Sequence, residues 1–74
     1  LSADDLLECI SRLPTGYRTV FNLYAIEGYT HKEIAAMLHI QEITSRSQFA
    51  RARKALQEMV QSLIAQDNVS RNRT

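Results

Sequence analysis

Residues 44–54 read TSRSQFARARK, with the cations Arg46, Arg51, Arg53 and Lys54 set among Thr44, Ser45, Ser47 and Gln48. These side chains donate hydrogen bonds and neutralise negative charge. An arginine fork matches a phosphate or the edge of a guanine, and hydroxyls and amides reach either. No acid lies between Thr44 and Gln57. The cluster therefore lacks the i, i+4 carboxylate partners that a merely solvated helix face often carries. A polyanion is the natural counterpart.

Chemistry of this kind needs a rigid rod beneath it. Ser45, Phe49, Ala52, Leu56, Met59 and Leu63 recur in alternating steps of four and three, which is a buried helical stripe. At about 100° per residue the opposite face carries Arg46, Ser47, Ala50, Arg51 and Lys54, flanked by Gln48 and Arg53. Ala50 is small enough to let the backbone approach a groove floor or a thymine methyl. The spacing predicts a helix over about 42–64, ending near Gln66.

A shorter helix must hold that rod in place. Thr30 and Glu33 form a T-x-x-E capping box, and Ile34, Ala35 and Leu38 follow on one face. Ala35 suits a close helix crossing. The turn falls around His39, Ile40 and Gln41, with Ile40 directed into the core. Upstream, Ser2 caps a first helix with Asp4 and Asp5 in its first turn and Leu6, Leu7, Ile10 and Leu13 as its apolar face. Pro14 opens the next helix at its first position, and Tyr17, Val20, Phe21, Tyr24 and Ala25 pack it. Gly28 is a left-handed stop. The expected fold is all-α: a compact four-helix domain over residues 1–66 containing a helix-turn-helix, with residues 67–74 as a disordered tail.

Bulk properties bound the answer. The 74 residues are one small domain, 45% apolar and 23% charged, with no room for a large substrate cavity. The net charge of +1 hides an asymmetry. Residues 1–43 hold three basic and six acidic side chains (3 − 6 = −3), and residues 44–74 hold six and two (6 − 2 = +4). Cys9 is the single cysteine, so no internal disulfide forms and a reducing cytosol fits. No apolar run is long enough to span a bilayer, and no signal peptide is apparent. The start at Leu1-Ser2 leads to the expectation of a fragment of a longer protein.

Several pieces occur together in a known order: Leu13-Pro14 with Arg18, Glu27-Gly28, Glu33-Ile34-Ala35 with Leu38, Thr44 to Ser47, and Arg51-Ala52-Arg53. This series, spanning about residues 5–60, resembles region four of bacterial RNA polymerase sigma factors, specifically the small extracytoplasmic-function (ECF) group. The resemblance implies a wingless member of the winged-helix-like DNA-binding superclass. It also implies a domain that binds the promoter −35 element as double-stranded DNA and docks on the β flap of core RNA polymerase. In many such factors an anti-sigma protein covers the domain. By position, Arg46, Ser47, Ala50 and Arg51 fall where the family touches bases. Thr30, Lys32, Thr44, Arg53 and Lys54 fall on phosphates. A monomer in the bacterial cytoplasm, associated with the nucleoid, is implied. The chain departs from the pattern at His39, where glycine is usual, at Gln41, where a serine cap is usual, and at Ser45, where valine is common. The Ser45 hydroxyl is expected to bond back to a carbonyl one turn earlier.

Other readings fit less well. A response-regulator effector domain also carries an EIA-like first helix, but the LP-x-x-x-R opening and the RAR segment do not match it. A protein-interaction bundle would set the basic face against an acidic partner. No nucleophile, base and orienting group stand together, so no enzyme is expected. His31, His39 and Cys9 match no zinc spacing, and neither metal nor cofactor is expected. Asp4, Asp5 and Glu8 read as an acid-rich helix start rather than an acid–base pair. Cys9 reads as a small packing residue, and Tyr17, Tyr24 and Tyr29 as core or interhelix packing. Leu63 and Ile64 form a potential exposed patch.

Overall fold

Ser2 and Asp5 start the first helix by capping each other. Ser2 Oγ accepts the Asp5 N–H at 3.2 Å, and the Asp5 carboxylate accepts the Ser2 N–H at 3.1 Å. The Ser2 backbone N–H, and then its side chain, hold the Asp5 carboxyl below the ordinary aspartate range. The structure is a computed structural model that describes the backbone of residues 1–72 and the side chains of residues 1–66. Helix α1 is Ala3–Ser11, α2 is Thr15–Phe21 and α3 is His31–Leu38. Helix α4 is Glu42–Asn72. A π-helical turn, Asn22–Ile26, continues α2. Every regular element among the described residues is helical, and α4 packs against each of α1, α2 and α3.

The corner between α1 and α2 follows from Leu13, Pro14 and Arg18. Leu13 is buried in the core, where it shares a cluster with Cys9, Ile10, Ala52 and Leu56. Pro14 has φ −51° and ψ 145° and stands at the N-cap of α2, one position outside the first helical place expected for it, which Thr15 takes. Its ring fixes φ, and its missing N–H is one that a helix start leaves unpaired anyway. Arg18 Nη1 then donates to the Ser11 carbonyl at 2.8 Å, placing a cation on the negative end of α1. Gly28, at φ 82°, closes the widened turn after α2. The amides of Glu27 and Tyr29 reach back to the carbonyls of Asn22 and Leu23 there.

The α3–α4 turn has the geometry the sequence implied. Thr30 Oγ1 accepts the Glu33 N–H at 3.1 Å, and Glu33 Oε1 accepts the Thr30 N–H at 3.0 Å. His39 sits in the left-handed region at φ 56° and ψ 43°. That conformation is costly for most side chains, but His is among the residues that tolerate it. The Ile40 N–H closes the turn on the Ala35 carbonyl at 3.0 Å.

Four expectations need correction. Leu6 and Leu7 are 40% and 59% exposed. Only the end of the short α1 rests on α4, so Cys9 and Ile10 are its buried residues and its first turns overhang. Tyr29 is exposed rather than core, and Ala25, expected to pack the second helix, is exposed as well. Helix α4 does not end near Gln66 but runs through Asn72. No Gly or Pro lies anywhere between Glu42 and Thr74, and elongating an existing helix costs little. Of the tail expected to be structureless, residues 73–74 lie outside the described residues. Finally, the domain is elongated, at 52 × 18 × 16 Å, because α4 projects past the bundle. Leu63 is half-buried there, Ile64 is exposed, and a shallow groove between α1 and α4 is lined by Cys9, Arg12, Met59 and Leu63.

Eight residues are too few for α3 to persist by propensity alone, so its cap has a measurable effect. Thr30→Ala is expected to cost about 1 kcal/mol of stability, read from denaturant midpoints at constant slope. The Thr30 backbone N–H, and secondly its side chain, hold Glu33 below its ordinary 4.5. A depressed carboxyl contributes at neutral pH, and the contribution fades as acid carries the pH down through the folded value. Glu33→Gln should therefore lose less stability than the parent chain when acidified below pH 4.5. Parallel acid limbs for the two chains would contradict this assignment.

Candidate nucleic-acid interface

The amphipathic division of α4 determines which side chains reach solvent. Ser45 and Ala52 are fully buried and Leu56 nearly so, while Phe49, Met59 and Leu63 are half-buried. The expected inward stripe is thus in place. With that stripe held against three helices, the other side is turned out. Arg46, Ser47, Ala50, Arg51, Arg53 and Lys54 are all exposed, and Gln48 at the margin is half-buried. Of the residues expected on phosphates outside this face, Thr30 and Lys32 are exposed at the start of α3, and Thr44 is half-buried.

An unexpected polar contact ties α3 to α4. His31 Nδ1 lies 2.8 Å from Ser45 Oγ. The hydroxyl donates when the imidazole carries its proton on Nε2 and accepts when the proton is on Nδ1. The expected back-bond from Ser45 to a carbonyl of its own helix is therefore replaced by a bond between helices. The imidazole is also stacked on Tyr24, with ring centroids 4.2 Å apart and planes 9° apart. Phe49 approaches both, at 4.7 Å from Tyr24 and 5.9 Å from His31. Phe21 stacks on Phe49 from the other side at 5.7 Å. The ring cluster joins α2, its π-helical turn, α3 and α4. It fixes the first residues of α3, with Thr30 and Lys32, beside the beginning of the basic face. Nothing in the spacing of His31 and Ser45 along the chain signalled this pair. The only hint was a polar residue in an otherwise apolar stripe.

A second missed contact is steric. A Cβ on Gly16 would lie 3.0 Å from Gln48 Oε1, and that oxygen is buried without a hydrogen-bond partner. Gly16 thus leaves room for the Gln48 amide, the movable end of a long side chain, beside the start of α2.

The electrostatics also differ from the sequence reading at one position. Arg46 Nη2 donates to Glu42 Oε1 at 2.8 Å. The acid is one turn upstream of the cluster, outside the window that suggested no carboxylate partner. The pair is solvent-exposed, so it contributes at most about 1 kcal/mol and is easily exchanged for another acceptor. Among the described residues, Arg51, Arg53 and Lys54 make no ion pair. The face can therefore offer three uncommitted cations, one guanidinium oriented by Glu42, the Ser47 hydroxyl and the bare backbone at Ala50. These groups can bind phosphates and discriminate base edges.

A family model described as Sigma-70, region 4 matches residues 3–56. The matched segment runs from the first residue of α1 to Leu56 in the stripe of α4, and so takes in the whole basic face. No curated protein matches the chain.

If the His31–Ser45 bond holds α3 on α4, a double-mutant cycle between Ser45→Ala and His31→Ala should show a coupling of about 1 kcal/mol in unfolding free energy. Strictly additive losses would mean that the two side chains are neighbours without a bond that matters.

Proposed function

This chain belongs to the sigma-70 region 4 family, a DNA-binding helix-turn-helix domain that serves promoter recognition, and from that premise we propose that it reads the −35 element. Arg46, Ser47, Ala50 and Arg51 contact base edges in the major groove. Thr30, Lys32, Thr44, Arg53 and Lys54 hold the flanking phosphates. The domain docks on the β flap of core RNA polymerase and acts as a monomer within an ECF-type factor in the bacterial cytoplasm. An anti-sigma protein covers it when the factor is silent. No helix among the described residues is long and apolar enough to cross a membrane.

The observation that carries this reading is the exposed basic face of α4, turned outward by the burial of Ser45, Ala52 and Leu56 on its reverse. A recognition helix lies in the groove with its N-terminal residues on base edges, and Arg46, Ser47, Ala50 and Arg51 occupy the first three turns of α4. The Thr30 hydroxyl accepts the Glu33 N–H and keeps its own proton available for a phosphate oxygen.

Magnitudes favour a dependent module. A single helical unit of this kind covers on the order of 600–1,000 Å². The three cations on phosphates, Lys32, Arg53 and Lys54, give a log–log salt slope of about −3. Binding by the domain alone then falls near the non-specific range of about 10⁻⁴–10⁻⁶ M. Tethering to a polymerase already engaged downstream raises the effective concentration and supplies the occupancy.

The test is a matched pair of substitutions. Arg51→Ala should cost about 1–3 kcal/mol of discrimination at one base position of the −35 element. Arg53→Ala should weaken all sequences alike and flatten the salt slope by about one. Both are read by titrating duplexes of different sequence at several salt concentrations. Sequence-blind losses of equal size for changes at Arg46, Ser47 and Arg51 would refute base reading and leave only a polyanion-binding bundle.

A further inference from the structure

Ile43 stands in the middle of the DNA-facing side of α4, and nothing in the fold explains it. It is 66% exposed, the most exposed large apolar side chain of any helix among the described residues. At about 100° per residue, Ala50, Lys54 and Ser47 fall within about 40° of its direction. The buried Ser45 and Ala52 lie on the opposite side of the helix. Glu42 and Arg46 lie together on one side of it, joined to each other at 2.8 Å, so the nearest charged groups are engaged across one turn. It stands on the first turn, the part of a recognition helix that meets base edges, and its Cα–Cβ bond tilts toward that end.

We propose that Ile43 is a specificity-determining residue that packs against the C5-methyl group of a thymine in the major groove. This inference rests on the reading of α4 as a recognition helix and names one further contact within it. The chemistry is the apolar half of the major-groove code, in which only thymine presents a methyl group. A β-branched side chain suits the task because its χ1 is already restricted in a helix, so little freedom is lost when it packs. Ile43 thereby supplies preference for T·A at one position, where the surrounding donors of Arg46, Ser47 and Arg51 supply preference for acceptors. An apolar anchor for a protein partner is the other occupant that such a residue could take, and it is the reading left standing if no thymine methyl group is sensed.

The 74-residue chain, at a concentration of about 10⁻⁴ M where even the untethered domain occupies DNA, is used to select its preferred duplex from a randomised pool. Each thymine of that duplex is then replaced in turn by deoxyuridine, which deletes the methyl group and leaves the hydrogen-bonding edge intact. The expected result is one position at which the parent chain loses about three- to fivefold in affinity, the factor for withdrawing one methyl group from an apolar contact. Ile43→Ala should bind the thymine and deoxyuridine duplexes equally, and Ile43→Val should keep most of the difference. Circular dichroism would confirm that both variants remain helical. Indifference to deoxyuridine at every position, or an undiminished methyl effect in Ile43→Ala, overturns the proposal. If Arg51→Ala still alters base preference in that event, Ile43 alone has been misassigned. If no duplex is preferred over any other, base reading by α4 falls with it.

Discussion

Helix α4 has to be two things at once, and the rest of the structure depends on that constraint. Helices α1, α2 and α3 have nine, seven and eight residues, below the length at which an isolated helix holds together in water. Each becomes stable only by burying a face against α4. The stripe of Ser45, Phe49, Ala52 and Leu56 is therefore the common wall of the domain. Because the wall faces inward along these turns, the arginines between its members have nowhere to go but out. Exposure of the basic face is a consequence of core packing rather than a separate feature. Interior packing tolerates little rotation, so the side of α4 from which Arg46, Ser47 and Arg51 project is as well determined as the core itself.

Translation and tilt of α4 against α3 are set by a different kind of contact. Apolar packing is non-directional and by itself would permit sliding. The His31–Ser45 bond at 2.8 Å does not. It has one geometry, and the Tyr24 stack holds the imidazole in the plane that satisfies it. A valine at position 45 would bury more apolar area but would leave Nδ1 of His31 without this partner. Buried polar pairs are best attested as devices that specify register, and register is what a helix-turn-helix needs if its second helix is to be presented to DNA in one orientation.

Much of this was legible in the chain because it rests on local rules. The T-x-x-E box, the Gly28 stop, the left-handed His39 and the four–three stripe are each decided by residues within one or two turns. All are present. The core contacts of α1 were less legible. A run with apolar residues at 6, 7, 10 and 13 states which residues share a face, but not how far along the helix its support extends, so Leu6 and Leu7 were assigned to a core that they overhang. The end of α4 was missed for the complementary reason: loss of apolar periodicity removes the reason for packing, not the ability to continue a helix without Gly or Pro. His31–Ser45 and Gly16–Gln48 join residues far apart in sequence, and a single chain carries no signal for such pairs. Ile43 carries no signal in the sequence as a contact residue, because single exposed apolar side chains are common on protein surfaces and only its position among Ser47, Ala50 and Lys54 sets it apart.

The placement of Glu42 sharpens the electrostatic argument. A carboxylate at the head of α4 is favoured by the helix dipole, yet it lies at the edge of a face whose counterpart is a polyanion. In water it holds Arg46 through an exposed pair of small net strength. Against a phosphate, the same carboxylate is repelled, and Arg46 must exchange it for a new acceptor. Phosphates are available on every duplex, whereas a guanine edge at the right depth is not. The exchange therefore subtracts from non-specific binding wherever Arg46 finds only phosphate, and it is offset where the guanidinium finds a bidentate base partner. The negative half of the chain, residues 1–43 at −3, acts in the same direction at longer range, within a Debye length of about 8 Å at physiological salt. The exchange at Arg46 lowers affinity for DNA in general more than for a matched site, whereas the charge of residues 1–43 lowers both alike because it carries no sequence information.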